Sequence, residues 1–385
     1  MYRLSVILFF VIEFAAAQKP GTVVESITCI DNPAQTYALY VPASYTKLTP
    51  VGLILLFDPG ARGNLPVSLY QKLADKHNVI LACSNNSHNG PVEPCISAGN
   101  SVLDDVLARF NVDRSFMLAS GFSGGGRVAV EFALRRGTMA GVITCGAALP
   151  SQTAITKTKQ IPFVEVIGQL DMNYQEAISA NMYLKTIANP AFLILFYGGH
   201  EWPPVSYYED AIEYHKLRNK KMKASDFFSD QMKRVKVQTD SGYLYEANRM
   251  LMQLVPDFQQ SNEVFTLDAK LASVQKDKRF KAEATEIPVV NSKEVAMQTE
   301  FRTRYKEQLS VAKFQPAYWQ QFRRDCDAML TKDHYTRLAG LRLVDFGWRL
   351  CSEQQYFFEQ NKQSIEAANS KKILDILSTS GVKGR

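Results

Sequence analysis

The segment with the tightest steric demand is Gly121-Phe122-Ser123-Gly124-Gly125. It follows an apolar run at residues 115–120 and leads into residues 127–134, a run of helical character. A chain that leaves a strand and enters a helix within so few residues must turn sharply. Gly121 and Gly125 allow this because neither carries a Cβ to clash. Strand, glycine-flanked turn and helix form the setting that a Gly-x-Ser-x-Gly nucleophile turn requires. The plainer alternative is a glycine-rich turn that contains a serine.

The surrounding pattern narrows the choice. Residues 22–30 and 34–41 are β-rich and separated by Asp31-Asn32-Pro33, which predicts an antiparallel entry hairpin. Residues 51–57 are continuously apolar, as in a strand buried on both faces. Helical spacing at 67–77, 101–110 and 174–187 alternates with short apolar strands at 79–82, 115–120, 141–145, 162–168 and 191–197. Alternation of this kind predicts a mostly parallel sheet with helices on both faces, and ligands bind such sheets beyond the carboxyl ends of the strands. After Trp202-Pro203-Pro204 the β-rich runs stop. Residues 208–217, 241–254, 299–312, 317–330, 335–353 and 371–378 read as helices, and 285–292, which contains Pro288, reads as a loop. The paired helices are vaguely similar to tetratricopeptide-like arrays, without a regular ~34-residue period. The expected division is a catalytic α/β part at 18–217 and an all-α part at 218–385.

Residues 1–17 read as a secretory leader: Arg3, an apolar core at 4–14 and Ala15-Ala16-Ala17 before the cut. The core is shorter than the ~20 residues of a membrane span, so no transmembrane anchor is expected once the leader is removed, and the destination is a periplasm or the exterior. The formal net charge of +6 in 385 residues is mild. The densest basic run, residues 216–223, reads as a solvated helix face rather than a nucleic-acid or membrane patch. Six cysteines in an exported chain permit disulfides, and Cys83 with Cys95, which flank one loop, are the first pair to test. Cys29 and Cys145 lie in apolar runs and read as buried thiols. No spacing typical of a structural zinc site appears.

A serine hydroxyl needs a base to become a nucleophile, and the base needs an orienting carboxylate. Of the five histidines, only His200 follows the last predicted strand. His88, in a loop after an earlier strand, is the rival. His77 and His215 read as solvated. Asp171 follows the strand before His200 and is the candidate carboxylate, its alternative being a plain turn or capping residue. Glu201, adjacent to His200, is badly placed to reach its ring. Gly124, next to the serine, is the first candidate oxyanion donor, and Gly60 and Ala61, after the 51–57 strand, are candidates for the second. Arg62 reads as a surface salt-bridge partner. Phe122, Met172, Tyr174 and Trp202 are candidate pocket walls, with ordinary packing as the alternative.

The order Ser123, Asp171, His200 and the segments Gly-Phe-Ser-Gly-Gly and Gly-Gly-His-Glu-Trp-Pro-Pro (198–204) resemble the α/β-hydrolase superfamily over roughly half the chain. The resemblance is to its secreted esterase branch, polyhydroxybutyrate-depolymerase-like and dienelactone-hydrolase-like. It implies an α/β-hydrolase fold for residues about 22–217, ahead of the helical region, with Ser123 as nucleophile, His200 as base and Asp171 as its orienter. It also implies a small-molecule or polymer-linked ester as substrate, with neither metal nor organic cofactor. A His-Gly-Gly type loop is usual for the second donor, and Asp58-Pro59-Gly60 stands there instead. Two further readings stay open. One is a serine peptidase of the same fold; the other is an inactive scaffold whose helical half binds a protein partner.

Overall fold

The computed structural model describes residues 19–150, 155–156 and 160–378; the expected leader lies outside them. The strands form an eight-stranded sheet in the order β1-β2-β4-β3-β5-β6-β7-β8. With β2 antiparallel and the later strands parallel, this is an α/β-hydrolase fold, and an all-α region follows it. The chain divides into two compact units within β5, residues 1–117 and 118–385.

In the first unit, β1 (Val23–Thr28) and β2 (Thr36–Tyr40) form the expected antiparallel hairpin, and β2 pairs antiparallel with β4 (Val79–Ser84). The apolar run 51–57 becomes β3 (Val51–Phe57), buried at every position and parallel to β4. Between β3 and β4 lies α1 (Asn64–His77), and α2 (Val92–Arg109) leads into β5 (Val112–Phe122). Asp105 of α2 accepts the Tyr37 hydroxyl at 2.6 Å and pairs with Arg109, locking α2 to β2. All six thiols of the chain are free and buried. Cys83 and Cys95 do not pair; Cys95 Sγ instead donates to the His88 carbonyl at 3.2 Å.

In the second unit, the end of β5, β6 (Gly141–Cys145), β7 (Phe163–Gly168) and β8 (Ala191–Phe196) run parallel. Their crossovers include α3 (Gly124–Arg136) and α4 (Tyr174–Thr186), and α5 (Val205–Arg218) packs back on β7 and β8. The Tyr208 hydroxyl of α5 donates to Ser120 Oγ, just before the glycine-flanked turn.

Then follow α6 (Ala224–Asp240), α7 (Leu244–Phe258), α8 (Val264–Lys276), α9 (Lys278–Leu309), α10 (Ala317–Met329), α11 (His334–Gln360) and α12 (Ser364–Ser378). Lengths from 13 to 32 residues form no repeated unit. Phe301 of α9 is central to a core of Trp319, Phe322 and Phe346, with ring centroids 4.9–5.6 Å away. Gly347 of α11 makes room for that ring, since a Cβ there would lie 2.8 Å from it.

The loop expected around Pro288 is instead the interior of α9. Proline removes one helical hydrogen bond, at a cost of about 3 kcal/mol. Burial of Ile287, Phe301 and Tyr305 along one stripe of the same helix opposes that cost. Strand β8 carries the second unit's exposed edge, and α7 covers it. Gln253 accepts the Leu193 N–H at 3.2 Å and Arg249 donates to the Leu193 carbonyl at 2.9 Å, so main-chain groups that would otherwise template strand addition are occupied.

His215, expected to be solvated, is fully buried in α5. Its Nε2 donates to the Val142 carbonyl at 3.1 Å, and its ring lies where a Cβ on Gly141 would sit. His77 is buried too. Burial pushes the His215 pKa down to about 4. Between the ordinary value near 6.5 and about 4 the unfolded chain binds the extra proton, so acidification destabilises the fold through this residue. Urea unfolding should therefore show wild type losing on the order of 2–3 kcal/mol more than His215→Gln between pH 7 and pH 4.5. Parallel pH profiles of the two proteins would refute this assignment.

Candidate active site

Ser123 sits between β5 and α3 with φ 52° and ψ −124°, a sparsely populated backbone region that costs on the order of 1–3 kcal/mol. Close packing holds it there. A Cβ on Gly121 would lie 2.2 Å from the Gly125 carbonyl oxygen, so only glycine fits at 121. Gly126 meets the Gly121 carbonyl in the same way, at 3.0 Å. The Ser123 N–H donates to the Cys145 carbonyl at 2.8 Å, tying the turn to the end of β6. Gly124 opens α3, so its N–H is among the helix-terminal donors that have no intrahelical acceptor.

The structure brings the three candidate residues into one hydrogen-bonded chain. His200 Nε2 lies 2.9 Å from Ser123 Oγ, and His200 Nδ1 lies 2.9 and 3.0 Å from the two Asp171 oxygens. The Asp171 side chain is fully buried and that of His200 is 7% exposed. Asp171 also accepts the Asn173 N–H at 2.8 Å, which fixes its rotamer toward the imidazole. A base placed in this way can take the serine proton, and the carboxylate stabilises the imidazolium that results. Glu201 folds back toward its own loop, accepting the Gly199 N–H at 3.3 Å. His88 is exposed, and its Nδ1 lies 2.9 Å from the Asn89 carbonyl.

Several residues take roles other than those expected. The Gly60 N–H donates to Asp58 Oδ1 at 2.9 Å and the Ala61 N–H to the Asp58 carbonyl at 3.1 Å, so both are engaged inside their own loop. Arg62 pairs with Asp58, as its surface reading implied. Phe122 lies beside the imidazole, its ring tilted at 4.7 Å from His200, and Trp202 lies on Phe122, with ring centroids 5.7 Å apart. Met172 instead packs against the aromatic core of α9–α12. Tyr174 lies under the Arg342 guanidinium at 4.2 Å and faces a separate cavity.

Five features beside the site were not foreseen. Gly146 has φ 60°, and a Cβ there would lie 2.8 Å from the Phe122 ring and 3.0 Å from Asp171 Oδ2. Asn173 Nδ2 donates to the Gly146 carbonyl at 2.9 Å. Arg342 of α11 donates to the Gln169 carbonyl at 2.7 Å, two residues before Asp171, while pairing with the fully buried Glu294 of α9. Gln175 of α4 donates to the same Glu294 at 2.6 Å. Asp345, one turn along α11 from Arg342, has its carboxyl pKa raised chiefly by burial; its partner Arg349 opposes the rise and the nearby charge of Asp171 adds to it. The only available signal for these was a glycine after a strand, Gly146; the rest depend on helices far along the chain.

No family model matches the sequence, and a search of curated proteins finds no match. Among solved structures the chain is similar to an S-formylglutathione hydrolase from Staphylococcus aureus, with 18% identity and a TM-score of 0.41 over 50% of this chain and 95% of that one. It is also similar to the feruloyl esterase module from Clostridium thermocellum (14%, 0.42, over 51% and 88%). A third is an esterase from Pyrobaculum calidifontis (14%, 0.39, over 52% and 85%).

Gly146→Ala should separate folding from site geometry. The added methyl must displace the Phe122 ring or the Asp171 carboxylate, so fluorophosphonate labelling of Ser123 should slow by about tenfold or more while the protein still unfolds cooperatively. An unchanged labelling rate would show that this close approach does not position Asp171.

Proposed function

We propose that this chain is an exported serine hydrolase that cleaves carboxylic esters through an acyl-serine intermediate. The observation that carries the reading is the Ser123–His200–Asp171 hydrogen-bond chain, set on a strained turn. In this reading His200 takes the Ser123 proton as Oγ attacks the ester carbonyl. The Gly124 N–H faces the developing oxyanion, and losing such a donor costs on the order of 3 kcal/mol. His200 then returns the proton to the departing alcohol, and water activated by the same imidazole releases the acid. Phe122 and Trp202 form the apolar wall beside the imidazole. The substrate is a small-molecule or polymer-linked ester.

Export rests on the leader-like residues 1–17 and implies a periplasmic or extracellular location. Among the described residues no helix is long and apolar enough to cross a membrane. The region after residue 217 acts as a helical domain that braces the Asp171 loop through Arg342, Glu294 and Gln175.

The direct test is labelling with a fluorophosphonate probe beside turnover of p-nitrophenyl acetate. Wild type should label once per chain, and Ser123→Ala should lose the label and on the order of 10³-fold or more of turnover. A folded wild type that neither labels nor turns over would sink the esterase reading.

A further inference from the structure

A separate cavity lies beyond the Asp171 loop, which contributes Gln169 to its wall. This cavity of about 470 Å³ is walled by α4 and β8 on one side and by α6, α7, α9 and α11 on the other. Its size falls in the range of small-molecule sites. None of Ser123, Asp171 and His200 lines it.

The lining has a consistent chemistry. Six tyrosines contribute to the wall, giving flat apolar faces with hydroxyls at their rims. Four cations line it, Lys185, Arg249, Arg337 and Arg342, against one carboxylate, Glu246. Glu246 is taken by Arg249, and Arg342 is taken by Glu294. Among the described residues Lys185 and Arg337 make no ion pair. Burial, and after it the charge of Arg249, lower the Lys185 pKa.

Two residues of the wall carry an orphaned polar atom. Asn181 is 4% exposed and its Nδ2 has no hydrogen-bond partner; the buried Tyr335 hydroxyl has none either. Buried donors are almost always satisfied, because leaving one unmade forfeits its hydration without return. Donors without acceptors, beside cations without anions, describe a site built for an acceptor-rich anion.

We propose that this cavity is a binding site for a small aromatic carboxylate, with its ring against the tyrosines and its carboxylate toward Lys185 and Asn181. It is a ligand site separate from the candidate active site and does not depend on the esterase reading.

The test is calorimetric titration of the full chain with 2-naphthoate, and with 2-naphthamide as its uncharged counterpart. The naphthoate should bind at one site per chain and at least about tenfold tighter than the amide. Lys185→Gln, a change at an exposed position, should weaken naphthoate by about five- to tenfold and leave amide binding and p-nitrophenyl acetate turnover unchanged. Asn181→Leu should keep or raise the melting temperature of the free protein, since it removes an orphaned donor, yet lose the rise that naphthoate produces. Ser123→Ala should bind naphthoate as wild type does, which separates this site from the candidate active site. Absence of naphthoate binding, equal affinity for acid and amide, indifference to Lys185→Gln, or loss of binding in Ser123→Ala would each overturn the proposal.

Discussion

The site depends on the backbone at Ser123. A serine at φ 52° and ψ −124° is strained, and the strain persists only while the surroundings leave no alternative. Gly121 lets the strand end touch the helix start, and the Cys145 carbonyl holds the Ser123 N–H. Strain and contact together aim Oγ at His200 Nε2. A relaxed turn would swing the hydroxyl away and leave an ordinary serine beside an ordinary histidine.

The acid arm is held from farther away. Asp171 is positioned locally by the Asn173 N–H, and its loop is tied down by Arg342 through the Gln169 carbonyl. Arg342 and Glu294 form a buried ion pair with side chains 4% and 0% exposed. Such pairs contribute little net stability, but breaking one by removing a single partner is expensive, on the order of 3–5 kcal/mol. Its value lies in geometry: the guanidinium satisfies Glu294 and Gln169 at once, so α9, α11 and the acid loop share one register. That requirement also accounts for α9 running through Pro288, because Glu294 reaches this network only if the helix continues.

The same helices solve a second problem. An open sheet ends in a strand with unpaired main-chain groups. Here α7 meets them at Leu193 with Gln253 and Arg249. Covering the edge places α7 and α11 opposite α4, and the space left between them is the tyrosine-rich cavity.

Much of this was determined by the sequence alone. The alternation of strands and helices, the glycine-flanked serine turn and the order Ser123, Asp171, His200 follow from local periodicity and short-range sterics, and these operate within a few residues. What lies close in space but far in sequence was decided only by the tertiary structure. Gly146 beside Asp171, Arg342 on Gln169, the buried His215 over Gly141, the free Cys83 and Cys95, and the self-satisfied Gly60 and Ala61 belong to that class. Local pattern misread Pro288 for the same reason: its cost is visible in the sequence, whereas the burial of Ile287, Phe301 and Tyr305 that opposes it forms only when α9 packs against helices farther along the chain.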